Sequence, residues 1–113
     1  MPKEPKVLRL LAEFACWPTW DYEDAELTEN YGPVDPNTLP ISDSLKLDVI
    51  EWNREYQKLL DWSDPGSSGF KSTKTERSFY ERGRVLADKI AQQMNNTIVV
   101  YTDGITGRNI RIS

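Results

Sequence analysis

The 113-residue chain contains no histidine and only one cysteine. Without histidine there is no Ser-His-Asp or Cys-His nucleophile system, no imidazole acid–base step and no His-containing zinc site. A lone cysteine makes no internal disulfide, so nothing in the sequence asks for an oxidising compartment and a cytoplasmic location is expected. No stretch approaches the roughly 18 apolar residues of a membrane span. Residues 1–6, charged and broken by proline, lack the apolar run of a signal peptide. No membrane partner is expected. Bases are also missing from residues 18–44, a segment that holds seven acids: Asp21, Glu23, Asp24, Glu26, Glu29, Asp35 and Asp43.

What is present fits one domain over residues 1–113, a length that buries roughly two-thirds of its unfolded surface. Residues 7–17 place Leu8, Leu10, Ala12, Phe14 and Cys16 on one side at period two, with Arg9 and Glu13 opposite, and read as a strand. Leu11, Ala15 and Trp17 make the second side partly apolar, as in a central strand. Residues 21–40 show no sustained apolar period and two turn clusters, Asn30-Tyr31-Gly32-Pro33 and Asp35-Pro36-Asn37, so a long loop is expected.

Two helices follow. The first starts near Ser42 or Asp43 and repeats apolar residues at Leu45, Val49, Trp52, Tyr56, Leu59 and Leu60, until residues 64–69 stop it. The second opens on Thr73-Lys74-Thr75-Glu76, which matches a capping box, and buries Phe79, Gly83, Leu86, Ile90 and Met94. Gly83 costs about 1 kcal/mol relative to alanine in a helix, so it is expected to face a close-packed backbone or bulky aromatic ring. Residues 97–102 and 108–112 read as a hairpin turning near Asp103-Gly104 and Gly107. The expected fold is α+β: a small antiparallel or mixed three-stranded sheet with a helical hairpin on one face, in the order β-loop-α-α-β-β. If Leu11, Ala15, Val99 and Tyr101 lie uncovered, that face is a candidate homodimer interface.

Several chemistries find little support. The pairs Asp21/Glu23 and Asp24/Glu26 lack the glycine and distal glutamate of an EF-hand, so no metal site is expected. Cys16 falls on the inward side of the first strand, where a cysteine behaves as a small hydrophobe. Gly66-Ser67-Ser68-Gly69 has no lysine to cradle phosphate and reads as a linker. No cofactor is implied. Residues 67–96 carry six bases against three acids, but Glu76, Glu81 and Asp88 interrupt Lys74, Arg77 and Arg84, and the chain is net −4. Nucleic acid is therefore not the expected partner.

The acidic stretch remains. Its carboxylates interleave with Trp17, Trp20, Tyr22 and Tyr31, combining charges that steer a basic partner with rings that supply contact area. It reads either as solvated surface or as a partner-binding surface made of Trp20, Asp21, Tyr22, Glu23, Asp24, Glu26, Glu29 and Tyr31. An alternative is an enzyme or small-ligand binder with a carboxylate between the acidic loop and the helices.

The runs Val-Leu-Arg-Leu-Leu-Ala-Glu-Phe-Ala-Cys-Trp-Pro-Thr-Trp from Val7, Leu-Pro-Ile-Ser from Leu39, Ser68-Gly69-Phe70 and Glu-Arg-Gly-Arg-Val-Leu-Ala from Glu81 look like those of small stand-alone bacterial proteins without an assigned activity. In size, charge and architecture the chain also resembles the immunity proteins that bacteria make against secreted toxins. That resemblance implies a non-enzymatic protein that binds and neutralises a basic toxin domain. No residue is carried over from it.

Overall fold

The computed structural model describes residues 5–59 and 69–113. Its elements run β1 (Val7–Leu10), β2 (Thr19–Tyr22), β3 (Asn30–Val34), a 3-10 turn (Pro36–Thr38), α1 (Asp43–Gln57), α2 (Thr73–Gln93), β4 (Ile98–Thr102) and β5 (Asn109–Arg111). The architecture is α+β, with five strands in the order β3-β2-β1-β4-β5 instead of three. β1 pairs antiparallel with β2 and parallel with β4; the two outer pairs are antiparallel.

Of the two additional strands, β3 lies in the segment expected to be a long loop, residues 21–40, and β2 starts two residues before it. β1 stops at Leu10 instead of running on to Trp17, because the chain turns at Phe14–Cys16 with Ala15 at φ 62°. Cys16 therefore sits half-buried in a turn and not on the inward side of a strand. The chain returns as β2, and Leu11 N–H reaches Pro18 O at 2.8 Å. β3 contains Gly32 and Pro33, which weaken a strand signal but are tolerated at a sheet edge, where half the backbone groups need no partner.

One sheet face carries the main core. Leu8, Leu10, Val99 and Tyr101 point under the helices and meet Val49, Trp52, Phe79 and Ile90, all buried. Val99 and Tyr101 are thus covered, so the conditional dimer face they would have formed does not exist. Along α1, Leu45, Val49 and Trp52 are buried as expected; Leu60 and residues 64–68 of the helix-stopping segment lie outside the described residues. Ser42 caps α1 by accepting from Leu45 N–H at 3.2 Å.

α2 buries Phe79, Gly83, Leu86 and Ile90, with Met94 just beyond its end. Its cap is Ser72, one residue before the expected threonine: the Ser72 hydroxyl accepts from Thr75 N–H at 3.1 Å, and Thr73 is the first helical residue. Gly83 fulfils its expectation. A Cβ there would stand 2.5 Å from both Trp52 Cζ2 and the Tyr101 hydroxyl. The opposite sheet face holds a smaller cluster of Val7, Tyr22 and Val100, with Trp20, Leu27 and Ile98 packed against it.

Candidate functional site: the acidic hairpin and the open sheet face

β2 and β3 form a hairpin whose loop, residues 23–29, carries most of the acids. Glu23 N–H donates to Glu29 O at 3.0 Å and closes the loop; a register shift between Asp21 and Tyr22 marks its base. Inside it, Asp24 accepts from Thr28 N–H at 3.1 Å and from the Thr28 hydroxyl. Those bonds hold the Asp24 carboxyl below its ordinary pKa, since they favour the charged form. Leu27, at φ 60°, folds back onto the Val7–Tyr22–Val100 cluster and anchors the loop to the sheet.

Glu23 is also engaged. Lys6 Nζ lies 2.5 Å from its Oε1, and the Tyr31 hydroxyl donates to its Oε2 at 3.1 Å. The Lys6 hydrogen bond and then that of Tyr31 lower the Glu23 pKa, and the same contacts raise those of Lys6 and Tyr31. Asp35 accepts from Asn37 N–H at 2.9 Å and starts the 3-10 turn. Asp43 faces Lys46 across one helical turn at 3.8 Å. Glu26 and Glu29 are different. Both are exposed, and neither forms an ion pair among the described residues.

The aromatic residues divide in the same way. Tyr31 is 57% exposed beside Glu29. Trp20 is half-buried on the open sheet face, its Nε1–H donating to Leu11 O at 3.3 Å. Tyr22 is buried in that face, and Asp21 stands on the opposite face in register with Leu8 and Gly32. The structure therefore brings Glu23, Asp24, Glu26, Glu29 and Tyr31 to one end of the sheet and sets Trp20, Asp21 and Tyr22 along β2.

Sequence reasoning missed Arg9, placed only on the second, partly apolar side of a strand. In register between Trp20 and Val100, it donates through Nε to Thr102 Oγ1 at 2.7 Å, through Nη1 to the Tyr22 hydroxyl at 2.8 Å and through Nη2 to Asn109 Oδ1 at 3.2 Å. Polar Thr102 and Asn109 at neighbouring strand positions were the available signal. The cleft between the turn after β1, β3 and α1 is about 330 Å³ and is lined by Ala15, Cys16, Trp17, Pro33, Asn53 and Gln57, with no carboxylate among them. No group of three or more His, Cys, Asp or Glu suited to a metal ion occurs among the described residues. No helix among them is long and apolar enough to cross a membrane.

A family model described as Serratia CdiI immunity protein-like matches residues 6–104. The chain belongs to this family. The match to the Serratia CdiI immunity protein-like family takes in β1 to β4, the acidic hairpin and both helices, and ends before β5. No curated protein matches the chain.

Proposed function

We propose that this protein is a non-enzymatic immunity-type protein that works in the cytoplasm by binding a basic toxin domain and blocking it, with the β2–β3 hairpin as the contact. Membership of an immunity-protein-like family over residues 6–104 carries the reading. The hairpin supplies the physical means. Glu26 and Glu29, which pair with no base among the described residues, project charge that accelerates encounter with a basic surface, while Tyr31 and Trp20 offer rigid rings to a partner. Glu23, Asp24 and Tyr22 hold the loop in shape through Lys6, Thr28 and Arg9, and Asp21 stands at its base on β2.

The test is relief of toxicity. A protein co-purified with this chain from the native organism is produced alone and together with it in a naive host. Growth arrest by the captured protein, relieved by the wild-type chain and not by Glu26→Lys/Glu29→Lys, is the expected result. Equal relief by both chains removes the hairpin from the contact; a captured protein that never arrests growth overturns the neutralising role.

A further inference from the structure

The sheet face turned away from the helices, with Val7, Tyr22, Val100 and Thr102 buried in it, has a charge character opposite to that of the hairpin. Residues 7, 9, 20, 22, 98, 100, 102, 109 and 111 share this face by strand register, and they include Arg9 and Arg111 and no acid. In a chain of net charge −4 this is a local reversal. Arg9, Val100 and Arg111 lie in one row across three strands, with Trp20 on the other side of Arg9.

Arg9 is half-buried and has no carboxylate partner among the described residues, whereas Arg54 pairs with Glu51 and Arg82 with Glu55. Its three bonds all go to neutral oxygens. The Thr102 hydroxyl in turn donates to Asn109 Oδ1 at 2.7 Å, which fixes two of the three acceptors relative to each other. The centre of the Tyr22 ring lies 5.7 Å from the guanidinium carbon and adds a cation–π contact. A guanidinium has five N–H donors, so one on each terminal nitrogen has no acceptor among the described residues, and two such donors can serve the two oxygens of a carboxylate. Because these contacts already restrain the side chain, little rotamer entropy remains to be lost on binding.

We infer that Arg9 is a docking point for a carboxylate side chain of a protein partner, with an apolar neighbour of that acid resting on Trp20. The inference rests on the proposed function only for the partner's identity: the toxin would then meet this chain at two surfaces of opposite sign, its bases on the hairpin and an Asp or Glu on the open face. Such alternation suppresses wrong partners, since a uniformly basic or uniformly acidic protein satisfies only one surface.

The test needs no toxin. The full chain is titrated with acetyl-Leu-Glu-Leu-amide and with the glutamine counterpart while the Arg9 Nε–Hε signal is followed by NMR. The glutamate peptide is expected to shift that signal saturably, the glutamine peptide to leave it in place, and Arg9→Lys to weaken the response about 10-fold. Arg82→Gln, on the helix layer, should change nothing. An equal response to both peptides, or none in the folded wild-type chain, overturns the inference, and these outcomes do not depend on whether Arg9→Lys folds. Oligothymidylate moving the Arg9 and Trp20 signals more than the glutamate peptide also overturns it, in favour of a nucleic-acid face. A positive peptide response without relief of toxicity leaves this site standing and removes the neutralising role alone.

Discussion

Gly83 and Trp52 are packed so closely that a methyl group on the glycine would stand 2.5 Å from the indole Cζ2. The indole is itself immobilised, donating through Nε1–H to Phe79 O at 2.9 Å and stacking on the Phe79 ring at 4.5 Å. Helix propensity favours alanine by about 1 kcal/mol, while overpacking of a close-packed core costs about 1–3 kcal/mol, so the sign is set by how far the ring yields. Since the Tyr101 hydroxyl stands at the same distance, Gly83→Ala is expected to destabilise by about 1–2 kcal/mol. Urea denaturation checks it, and a neutral or stabilising outcome would show that the α1–α2 contact is looser than described.

The position of the α2 cap gives a second prediction. Ser72 accepts from Thr75 N–H, whereas the Thr73 hydroxyl makes no bond among those of the described residues. Ser72→Ala should cost about 1 kcal/mol and Thr73→Ala only a few tenths. Thermal melts of the two variants rank them, and the reverse order would restore the threonine as cap.

These two positions mark what the residues reveal by themselves. Local periodicity announces α1 and α2 because each buries a stripe that only a helical period explains, and the β-branched run from Thr97 with the glycines of its turn announces the β4–β5 hairpin. Gly83 was legible as a packing contact because nothing else justifies glycine in mid-helix. β2 and β3 were not, since Thr19–Tyr22 is only four residues long and follows a proline, and Gly32-Pro33 interrupts the other. Both strands are specified by pairing with β1, information that resides in the partner strand. The same holds for the site. Residue types place the acids on one segment, but only the folded loop separates Asp24, spent on Thr28, from Glu26 and Glu29, which remain available.

Stability should fall at both ends of the pH range, for different reasons. Arg82 donates to both oxygens of Glu55 at 2.7 and 2.8 Å, and this bonding holds the Glu55 pKa below its ordinary value against an opposing desolvation. A depressed carboxyl pKa contributes stability that is present above the unfolded value and lost as pH falls through the folded one. The pair is partly exposed, so the contribution is under about 1 kcal/mol, and Glu55→Gln should flatten the acid limb by that amount.

At the alkaline end, burial is the main cause raising the Tyr101 and Tyr80 phenols, Tyr101 donating to Tyr80 O at 2.7 Å. A raised phenol pKa contributes stability that is full below the unfolded value of about 10 and is lost as pH rises through the folded value. Ultraviolet titration should show two tyrosines ionising only as the chain unfolds. Tyr101→Phe should remove one of them and cost about 1 kcal/mol.

The hairpin yields the prediction that bears most directly on function. Glu26→Lys/Glu29→Lys reverses two exposed charges that form no ion pair among the described residues, so the fold and melting temperature should stay nearly unchanged while association with the proposed basic partner slows about 10-fold at low salt. Raising the salt should shrink that gap, because screening weakens wild-type steering. Asp24→Ala acts on the other part of the loop: it releases Thr28, and the Thr28 amide should lose protection in hydrogen exchange. Tyr31→Ala should leave association near wild type and speed dissociation about 10-fold, as expected for a contact anchor and not a steering charge. Stopped-flow rates at two salt concentrations separate these cases. If the double reversal leaves the association rate and its salt dependence at wild-type values, the toxin approaches by another surface and the hairpin acids serve only to keep that end of the sheet solvated.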